Sequence, residues 1–357
     1  MPSSDQNPPD RPVARRPPLA VRLGFALFVI LTASLSGEMA LRFVARATAR
    51  MPRAVDPDAV NLPEFKNSLE VMQPNVRGRF FGRYYQSNSE GFRGPEVSEA
   101  KPPGTFRIMT LGDSFTNGQG VRYEESYPAL LSRALNGNGD DRRYEVINLG
   151  IGGFNLRASV DRLEKKGLKF APDLIVYGFT INDLEGNAYR KSRIDKPWAA
   201  TTPSRLLNLF IDQWNYFRDL FWHAPGSYLW ELDDNYFRNP LAWEGWKADL
   251  RELKDKASQQ DACLLVFLHT DLMTLNRFHP PRAYYDAVEA AATELGIPYK
   301  ESFPYYLGKT PQDLWVNFYD RHPNPAGHAI LAQSLEDGLK ALPASCWKGA
   351  VPKALPH

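Results

Sequence analysis

Cysteine, charge of one sign and metal-binding patterns are all scarce in this 357-residue sequence. The two cysteines, Cys263 and Cys346, are compatible with either redox compartment. Because Cys263 begins an apolar run, we expect a buried thiol there rather than a disulfide. There is no HExxH motif and no Cys/His cluster, so we expect no metal and no cofactor. The formal net charge is only +2, so we expect no nucleic-acid partner.

Long apolar runs are also rare, with one exception near the N-terminus. Residues 23–37, "LGFALFVILTASLSG", carry no charge. This length lies between the roughly 7 to 15 residues of a signal-peptide core and the roughly 20 of a membrane-spanning helix. The continuation "EMALRFVA" reaches spanning length but adds Glu38 and Arg42, which could lie at the membrane interface. We favour an uncleaved anchor over a cleaved signal, and arginines on both sides of the run give only a weak orientation signal.

Shifts in composition divide the chain into five segments. We expect a disordered, basic, Pro-rich tail, a transmembrane or signal segment, a linker and approach segment, one folded domain, and a C-terminal tail. Their bounds are 1–20, 21–45, 46–84, 85–342 and 343–357. An aromatic-rich insertion within the domain, residues 190–246, contains six of the eight tryptophans. It is interpreted as a helical cap packed on the core; a lid over substrate and a surface at the membrane interface are the alternatives.

Apolar and amphipathic stretches alternate regularly after residue 105. The apolar runs predict five strands, with helices between them: "FRIMTLG", "YEVINLG", "DLIVYGF", "ACLLVFLH" and "GIPYK". Most of them are continuously apolar, which is typical of a parallel sheet that is covered on both faces. The alternation therefore predicts one doubly wound α/β domain, in which ligands bind beyond the carboxyl ends of the strands.

Ser114 lies at the end of the first of these strands, in "GDSFTNG". Such a polar cluster could be an ordinary turn, but its position also suits a nucleophile. A serine hydroxyl needs a base to take its proton, and the base needs an acid to orient it. Among the six histidines, His322 has an acid close by, Asp320, in "DRHPNPAGH". His328, at the start of a predicted helix, is interpreted as structural.

Two further loops could stabilise a developing oxyanion. "NLGIGG" follows the second strand, and its glycines Gly150, Gly152 and Gly153 allow a backbone N–H to approach a ligand closely. "GFTIND" follows the third strand and offers the side-chain amide of Asn182. Each loop alone could be only a turn. Together, the four loops supply the groups that acyl transfer requires.

In this order the four blocks resemble the SGNH, or GDSL-like, hydrolase family. The resemblance implies a single flavodoxin-like three-layer α/β/α domain with a five-stranded, mainly parallel sheet. It implies a serine esterase in which Ser114 is the nucleophile, His322 the base and Asp320 the acid. The implied oxyanion hole consists of the backbone N–H groups of Ser114 and Gly153 and the side-chain amide of Asn182.

The resemblance covers about residues 85–340. With the N-terminal apolar segment and "NSEGFRGPE", the chain is similar to the membrane-anchored bacterial branch. This implies a single-pass inner-membrane protein whose catalytic domain faces the periplasm. Two spacings depart from the usual pattern. Asp320 is two residues before His322 instead of three, and Gly178 is four residues before Asn182 instead of two.

Three functions remain open. Hydrolysis of a small-molecule or glycan ester is favoured. An O-acetyltransferase or deacetylase of a cell-envelope polysaccharide would use the same acyl-enzyme, because a sugar hydroxyl can intercept it. A non-catalytic envelope binding protein is the third, although such a protein has no need of Ser114, His322 and Asn182 together. The sequence makes no prediction of the oligomeric state.

Overall fold

The computed structural model describes residues 18–50, 61–137, 139, 142–184, 203–208, 210–211, 214, 222, 228–279, 281–317 and 320–348. These residues belong to two units. The first contains the helix Leu19–Arg50 and the described residues between 203 and 214, and the second contains the rest. The disordered tail predicted for residues 1–20 lies almost wholly outside the described residues, as does much of the Trp-rich insertion.

Within the first unit, the stretch Leu23–Phe43 is long and apolar enough to cross a membrane, with a mean hydropathy of 1.7. A signal sequence near an N-terminus has the same properties. Glu38 and Arg42 form an ion pair at 2.6 Å. The Glu38 carboxylate also accepts the backbone N–H groups of Arg205 and Leu206, at 3.1 and 2.8 Å. The two charged side chains of the apolar stretch are therefore hydrogen-bonded, which lowers their cost in an apolar environment.

Strands of the second unit carry the labels β1 to β9 in chain order. Their bounds are β1 Arg77–Phe80, β2 Arg83–Gln86, β3 Thr105–Gly112, β4 Arg143–Asn148, β5 Leu174–Phe179, β6 Cys263–Leu268, β7 Tyr299–Glu301, β8 Trp315–Asn317 and β9 Asp320–Pro323. Strands β3 to β7 form one parallel sheet in the order β4-β3-β5-β6-β7. In β3, Ile108 and Met109 belong to different apolar cores, because successive side chains of a strand point to opposite faces. Burial on both faces explains why most of the predicted strands are continuously apolar.

Helices cover both faces of this sheet, which gives three layers. One face carries Tyr127–Gly137 and Pro325–Lys340, and the other carries Leu156–Arg162, Pro240–Gln259 and Arg282–Glu294. The shorter helices are Ser68–Val71, Ser114–Asn117, Tyr228–Asp233 and Phe303–Tyr306. The predicted flavodoxin-like α/β/α domain is confirmed. Because β3 lies between β4 and β5, the strand order reverses there, and the carboxyl ends of β3 and β5 flank the crevice where such sheets bind ligands.

Two antiparallel hairpins lie outside the main sheet and were not predicted. Strand β1 pairs with β2, and β8 pairs with β9. Strands of three or four residues are too short to show a clear alternation of apolar and polar residues. The predicted domain boundary at residue 85 falls inside β2, and Tyr85 packs with Phe65, Val71 and Phe80 in a small apolar cluster. The approach segment therefore contains regular structure from Ser68 onward.

A disulfide joins Cys263 to Cys346, so the expectation of an unpaired thiol at Cys263 is wrong. Cys263 is the first residue of β6, and Cys346 lies in the single helical turn Ala344–Trp347. Trp347 is 1% exposed and stacks on Phe106 with ring centroids 5.2 Å apart, which holds this turn against the core. The pairing depends on a contact between residues 83 positions apart, and the local pattern around Cys263 carries no sign of it.

The described end of the Trp-rich insertion is helical. The helix Tyr228–Asp233 continues into a wider turn, Asp234–Arg238, before Pro240–Gln259 begins. Trp246 is fully buried and packs edge-on against Phe179, with centroids 5.6 Å apart. At this end the insertion packs on the core, in the manner that a helical cap would.

Candidate active site

Ser114 begins the short helix Ser114–Asn117 directly after β3. Asp113 caps this helix, because its side chain accepts the backbone N–H of Phe115 at 2.9 Å. Gly112 has a φ of +142°, and a Cβ there would lie 2.5 Å from the carbonyl oxygen of Gly178. The turn between strand and helix therefore requires glycine. It brings Ser114 to the carboxyl edge of the sheet, where the sequence places a ligand site.

The upstream stretch "NSEGFRGPE" stabilises the segment that follows Ser114. Its Arg93 is buried, and the guanidinium donates to the backbone carbonyls of Asn117, Gly118 and Val121 at 2.6 to 2.7 Å. Carbonyl groups at the end of a helix lack partners within the helix. Arg93 supplies those partners, and it thereby fixes the loop that follows Ser114.

His322 and Asp320 lie on β9. Nε2 of His322 lies 2.8 Å from Oγ of Ser114, and Nδ1 contacts Oδ1 of Asp320. The unusual two-residue spacing is workable because alternate residues of a strand point to the same face. Burial raises the pKa of Asp320, but hydrogen bonds from His322 outweigh it and hold the pKa of this carboxyl below its ordinary value. Asp320 is therefore ionised near neutral pH and orients His322.

The glycine loop after β4 adjoins Ser114. A Cβ on Gly152 would lie 3.7 Å from Cβ of Ser114, whereas a Cβ on Gly153 would meet no atom of the described residues within 4 Å. Gly153 has a φ of +82°, which favours glycine. The hydroxyl of Ser68 donates to the carbonyl of Gly152 at 2.7 Å. Because the C=O and N–H of a trans peptide point in opposite directions, the N–H of Gly153 points away from Ser68.

Asn182 lies in the turn Ile181–Leu184 after β5, and it lines the same cavity as Ser114 and His322. Its Oδ1 accepts a hydrogen bond from the hydroxyl of Thr180. This bond fixes which end of the amide is the acceptor. The NH₂ group of Asn182 makes no hydrogen bond to any residue in the described part of the chain, so it can donate to a ligand.

The Thr180 hydroxyl belongs to a buried network beneath the site. It contacts three acceptors, which are Oδ1 of Asn182, Oδ2 of Asp113 at 2.9 Å and Oδ1 of Asp183 at 3.1 Å. One hydroxyl supplies only one proton. Burial, and then the charge of Asp113, raises the pKa of Asp183 well above its ordinary value. Burial thus favours the protonated form of Asp183, which does not need a donor from Thr180, so the proton of Thr180 is available to Oδ1 of Asn182.

Ser114, Asn182 and His322 line a cavity of about 100 Å³ together with Phe115, His269 and Asp271. His269 is buried beneath Phe115, and the two rings stack with centroids 5.6 Å apart. Burial lowers the pKa of His269 to about 3, so this ring is neutral near pH 7. No role was assigned to His269 from the sequence, although Asp271 lies two residues after it.

Sequence reasoning missed three polar residues at this site, which are Gln119, Thr180 and Asp271. Thr180 and Asp271 closely follow predicted strands, and the rule that ligands bind beyond strand ends could have selected them. Gln119 carries no such signal, because its position depends on how the loop after Ser114 meets the hairpin β8–β9.

Comparison with known sequences shows the family of this chain. The profile of the GDSL-like Lipase/Acylhydrolase family matches residues 110–330, which is more than half of the chain. This chain belongs to the GDSL-like lipase/acylhydrolase family. As a member of this family it is a hydrolase that acts on ester bonds. No curated protein matches it significantly in sequence.

Several solved structures of GDSL-type and related hydrolases are similar to this chain, with low sequence identity. The hydrolase LAE5 from the metagenome of Lake Arreo is 20% identical, with 65% of this chain and 94% of that chain covered and a TM-score of 0.42. A catalytic mutant of the acetylxylan esterase Axe2 from Geobacillus stearothermophilus is 18% identical, with 68% and 96% covered and a TM-score of 0.43. TesA is 18% identical, with 66% and 98% covered and a TM-score of 0.40.

Proposed function

We propose that this chain is a serine esterase that cleaves a carboxylic ester through an acyl-enzyme on Ser114. The observation that carries the proposal is the continuous hydrogen-bond chain from Oγ of Ser114 through the imidazole of His322 to Asp320. A serine hydroxyl is a weak nucleophile without such a base, and the base works best when an ionised acid fixes its orientation.

The first half of the reaction forms the acyl-enzyme. Nε2 of His322 takes the proton of the Ser114 hydroxyl as Oγ bonds to the ester carbonyl carbon, which makes a tetrahedral oxyanion. Collapse of this intermediate breaks the bond to the alcohol oxygen. The departing alcohol takes the proton from His322, and the acyl group stays on Ser114. Asp320 remains ionised and stabilises the imidazolium during this step.

Donors near Ser114 would stabilise the oxyanion. We assign this role to the NH₂ group of Asn182 and to the backbone N–H groups of Ser114 and Gly153. The contact from Thr180 to Asn182 and the contact from Ser68 to Gly152 support the assignment, because each fixes the orientation of a peptide or amide group beforehand. Donors that need no reorganisation during the reaction contribute most to rate.

Water completes the cycle. His322 takes a proton from a water molecule as the water oxygen bonds to the acyl carbon. The second tetrahedral intermediate then collapses, the bond from the acyl carbon to Oγ breaks, and His322 returns the proton to Oγ of Ser114 as the carboxylic acid leaves. The cavity of about 100 Å³ is smaller than the roughly 300 to 1,000 Å³ of sites for drug-sized ligands, which favours a short acyl group such as acetyl.

We also propose that the chain is a single-pass inner-membrane protein whose catalytic domain lies on the periplasmic side. The apolar stretch Leu23–Phe43 supports an anchor, and the disulfide between Cys263 and Cys346 supports an oxidising compartment. Alkylation of free thiols in intact cells, before and after reduction, tests whether the domain lies in an oxidising compartment. Cysteines that react without prior reduction would contradict it.

The test of the enzymatic proposal uses 4-nitrophenyl esters of increasing acyl length and a fluorophosphonate that labels active serines. Ser114→Ala and His322→Ala should each lose hydrolysis, and Ser114→Ala should also lose the label. Ser258→Ala, at an exposed helical position, is the matched control and should keep both. Hydrolysis that survives in purified Ser114→Ala would exclude the mechanism.

The same preparation separates hydrolysis from transfer. Acetate release is measured with and without an acetyl-accepting glycan such as xylan. A hydrolase releases acetate at the same rate in both, whereas a transferase releases less acetate and acetylates the glycan when the acceptor is present.

A further inference from the structure

Asp271 lines the cavity that contains Ser114 and His322, and one of its two carboxylate oxygens accepts no hydrogen bond from the described residues. The residue follows the end of β6, at the same edge of the sheet as the nucleophile. Its Oδ1 accepts the backbone N–H of Met273 at 2.9 Å. Its backbone N–H donates to the hydroxyl of Tyr285 at 2.8 Å. These two bonds fix the backbone and one carboxylate oxygen.

The second oxygen of Asp271 has no hydrogen-bond donor among the described residues, and no cation of those residues lies within 4.0 Å of it. The charge of Arg321 favours its ionised form, as does that of His322 while the imidazole is protonated. Burial raises the pKa of Asp271 to about 6, so the carboxylate is still mostly ionised at pH 7. An ionised oxygen in a small cavity is costly unless a donor reaches it.

If the acyl group is a simple one, only the alcohol portion of an ester can supply this donor. An acyl group such as acetyl carries no N–H or O–H, and the ester oxygens are acceptors. The alcohol portion leaves with the proton of His322, so it lies beside that ring during the reaction. The ring and Asp271 line the same cavity of about 100 Å³, so a hydroxyl next to the ester linkage comes within reach of the carboxylate.

We propose that Asp271 accepts a hydrogen bond from a hydroxyl group on the alcohol portion of the substrate. The natural substrates are then esters of polyhydroxy alcohols such as sugars, rather than esters of simple alcohols. This inference rests on the proposed esterase function. Asp271 selects the alcohol portion of the substrate, whereas Ser114 and His322 cleave the ester bond.

The test compares two acetate esters that differ only in their donors. Glycerol monoacetate has free hydroxyl groups, and its di-O-methyl ether has the same backbone and oxygens without any O–H. We expect the wild-type protein to have a higher kcat/KM for glycerol monoacetate. Asp271→Asn should reduce the ratio of the two kcat/KM values by about 10- to 100-fold, because a hydrogen bond to a charged group is lost.

The ratio is unaffected by the fraction of folded protein, so a purely structural effect of the substitution does not change it. The asparagine keeps an oxygen for the N–H of Met273. Asp255→Asn, on an exposed surface, is the matched control and should leave the ratio at its wild-type value.

Two results would overturn the proposal. The wild-type protein could have nearly equal kcat/KM values for glycerol monoacetate and its di-O-methyl ether, or Asp271→Asn could have the same ratio of these two values as the wild type. Either result can occur while 4-nitrophenyl acetate is still hydrolysed through Ser114, in which case the esterase function stands and only the role of Asp271 fails. A wild-type protein that hydrolyses none of these esters would overturn both.

Discussion

The side-chain amide nitrogen of Gln119 lies 3.1 Å from Nδ1 of His322. Because Nδ1 carries the proton that His322 donates to Asp320, the amide cannot donate to it, and its acceptor is the carboxylate of Asp320. Burial raises the pKa of Asp320, and hydrogen bonds from His322 and Gln119 lower it below its ordinary value. Gln119 therefore joins the loop after Ser114 to the strand that carries the base and its acid.

Gln119→Leu should test this positioning role. The substitution keeps the size of the side chain but removes the donor to Asp320, so the orientation of His322 is less well fixed. We expect kcat for 4-nitrophenyl acetate to fall by about 10- to 100-fold with little change in KM, as for the loss of a hydrogen bond to a charged group.

The matched control for this experiment is Gln312→Leu, at an exposed position, which should behave as the wild type. A kcat that is unchanged in Gln119→Leu would contradict the role. A rise in KM at constant kcat would instead indicate that Gln119 contacts the substrate.

The hydroxyl of Thr180 provides a second prediction. Thr180→Val keeps the shape of the side chain but removes the bond that fixes the amide of Asn182. We expect kcat to fall by about tenfold or more, with an upper limit near the 10²- to 10³-fold that loss of a whole oxyanion donor costs. Thr180→Ser retains the hydroxyl and should recover most of the activity. Equal activities of the valine and serine variants would exclude this function of the hydroxyl.

The main sheet could be predicted from sequence because burial on both faces makes most of its strands largely apolar. The same physical rule places Ser114 and Asn182 at neighbouring strand ends, so the candidate site followed from the fold. The spacing of Asp320 and His322 departs from the usual pattern, yet a strand makes it workable, since residues two apart share a face.

Tertiary contacts account for what the sequence did not predict. The roles of Gln119 and Asp271 depend on which loops meet at the sheet edge, and neither residue belongs to a recognisable local pattern. The pairing of Cys263 with Cys346 depends on the burial of Trp347 against Phe106. Local patterns report on the burial of a segment, but they do not report which distant segment covers it.

The disulfide should contribute strongly to stability. It closes a loop between residues 83 positions apart, and the loss of chain entropy in the unfolded state is worth roughly 4.5 kcal/mol for loops of this size. The double variant Cys263→Ala/Cys346→Ala should therefore unfold at a lower urea concentration than the wild type. Its free energy of unfolding should be lower by roughly that amount. Adding reductant should destabilise the wild type and leave the variant unchanged. Equal midpoints for the oxidised wild type and the variant would contradict the prediction.

His328 should make the protein sensitive to acid. Its ring is buried, Nδ1 accepts the backbone N–H of Tyr127 at 3.3 Å, and Nε2 has no hydrogen-bond partner among the residues that the structure describes. Burial lowers the pKa of His328 to about 3, and the nearby charge of Arg93 acts in the same direction. Between the unfolded pKa of about 6.5 and pH 3, the unfolded chain binds a proton that the folded protein excludes, so stability falls as the pH falls.

The size of this effect follows from the same two pKa values. Between pH 7 and pH 5, His328 should account for a loss of roughly 2 kcal/mol in the free energy of unfolding. Urea denaturation at both pH values, for the wild type and for His328→Gln, measures it. The buried carboxyls Asp113 and Asp183 have raised pKa values and oppose the trend, but they are common to both proteins and cancel in the comparison. The variant should lose less stability on acidification than the wild type, and an equal loss would show that protonation of His328 does not control acid unfolding.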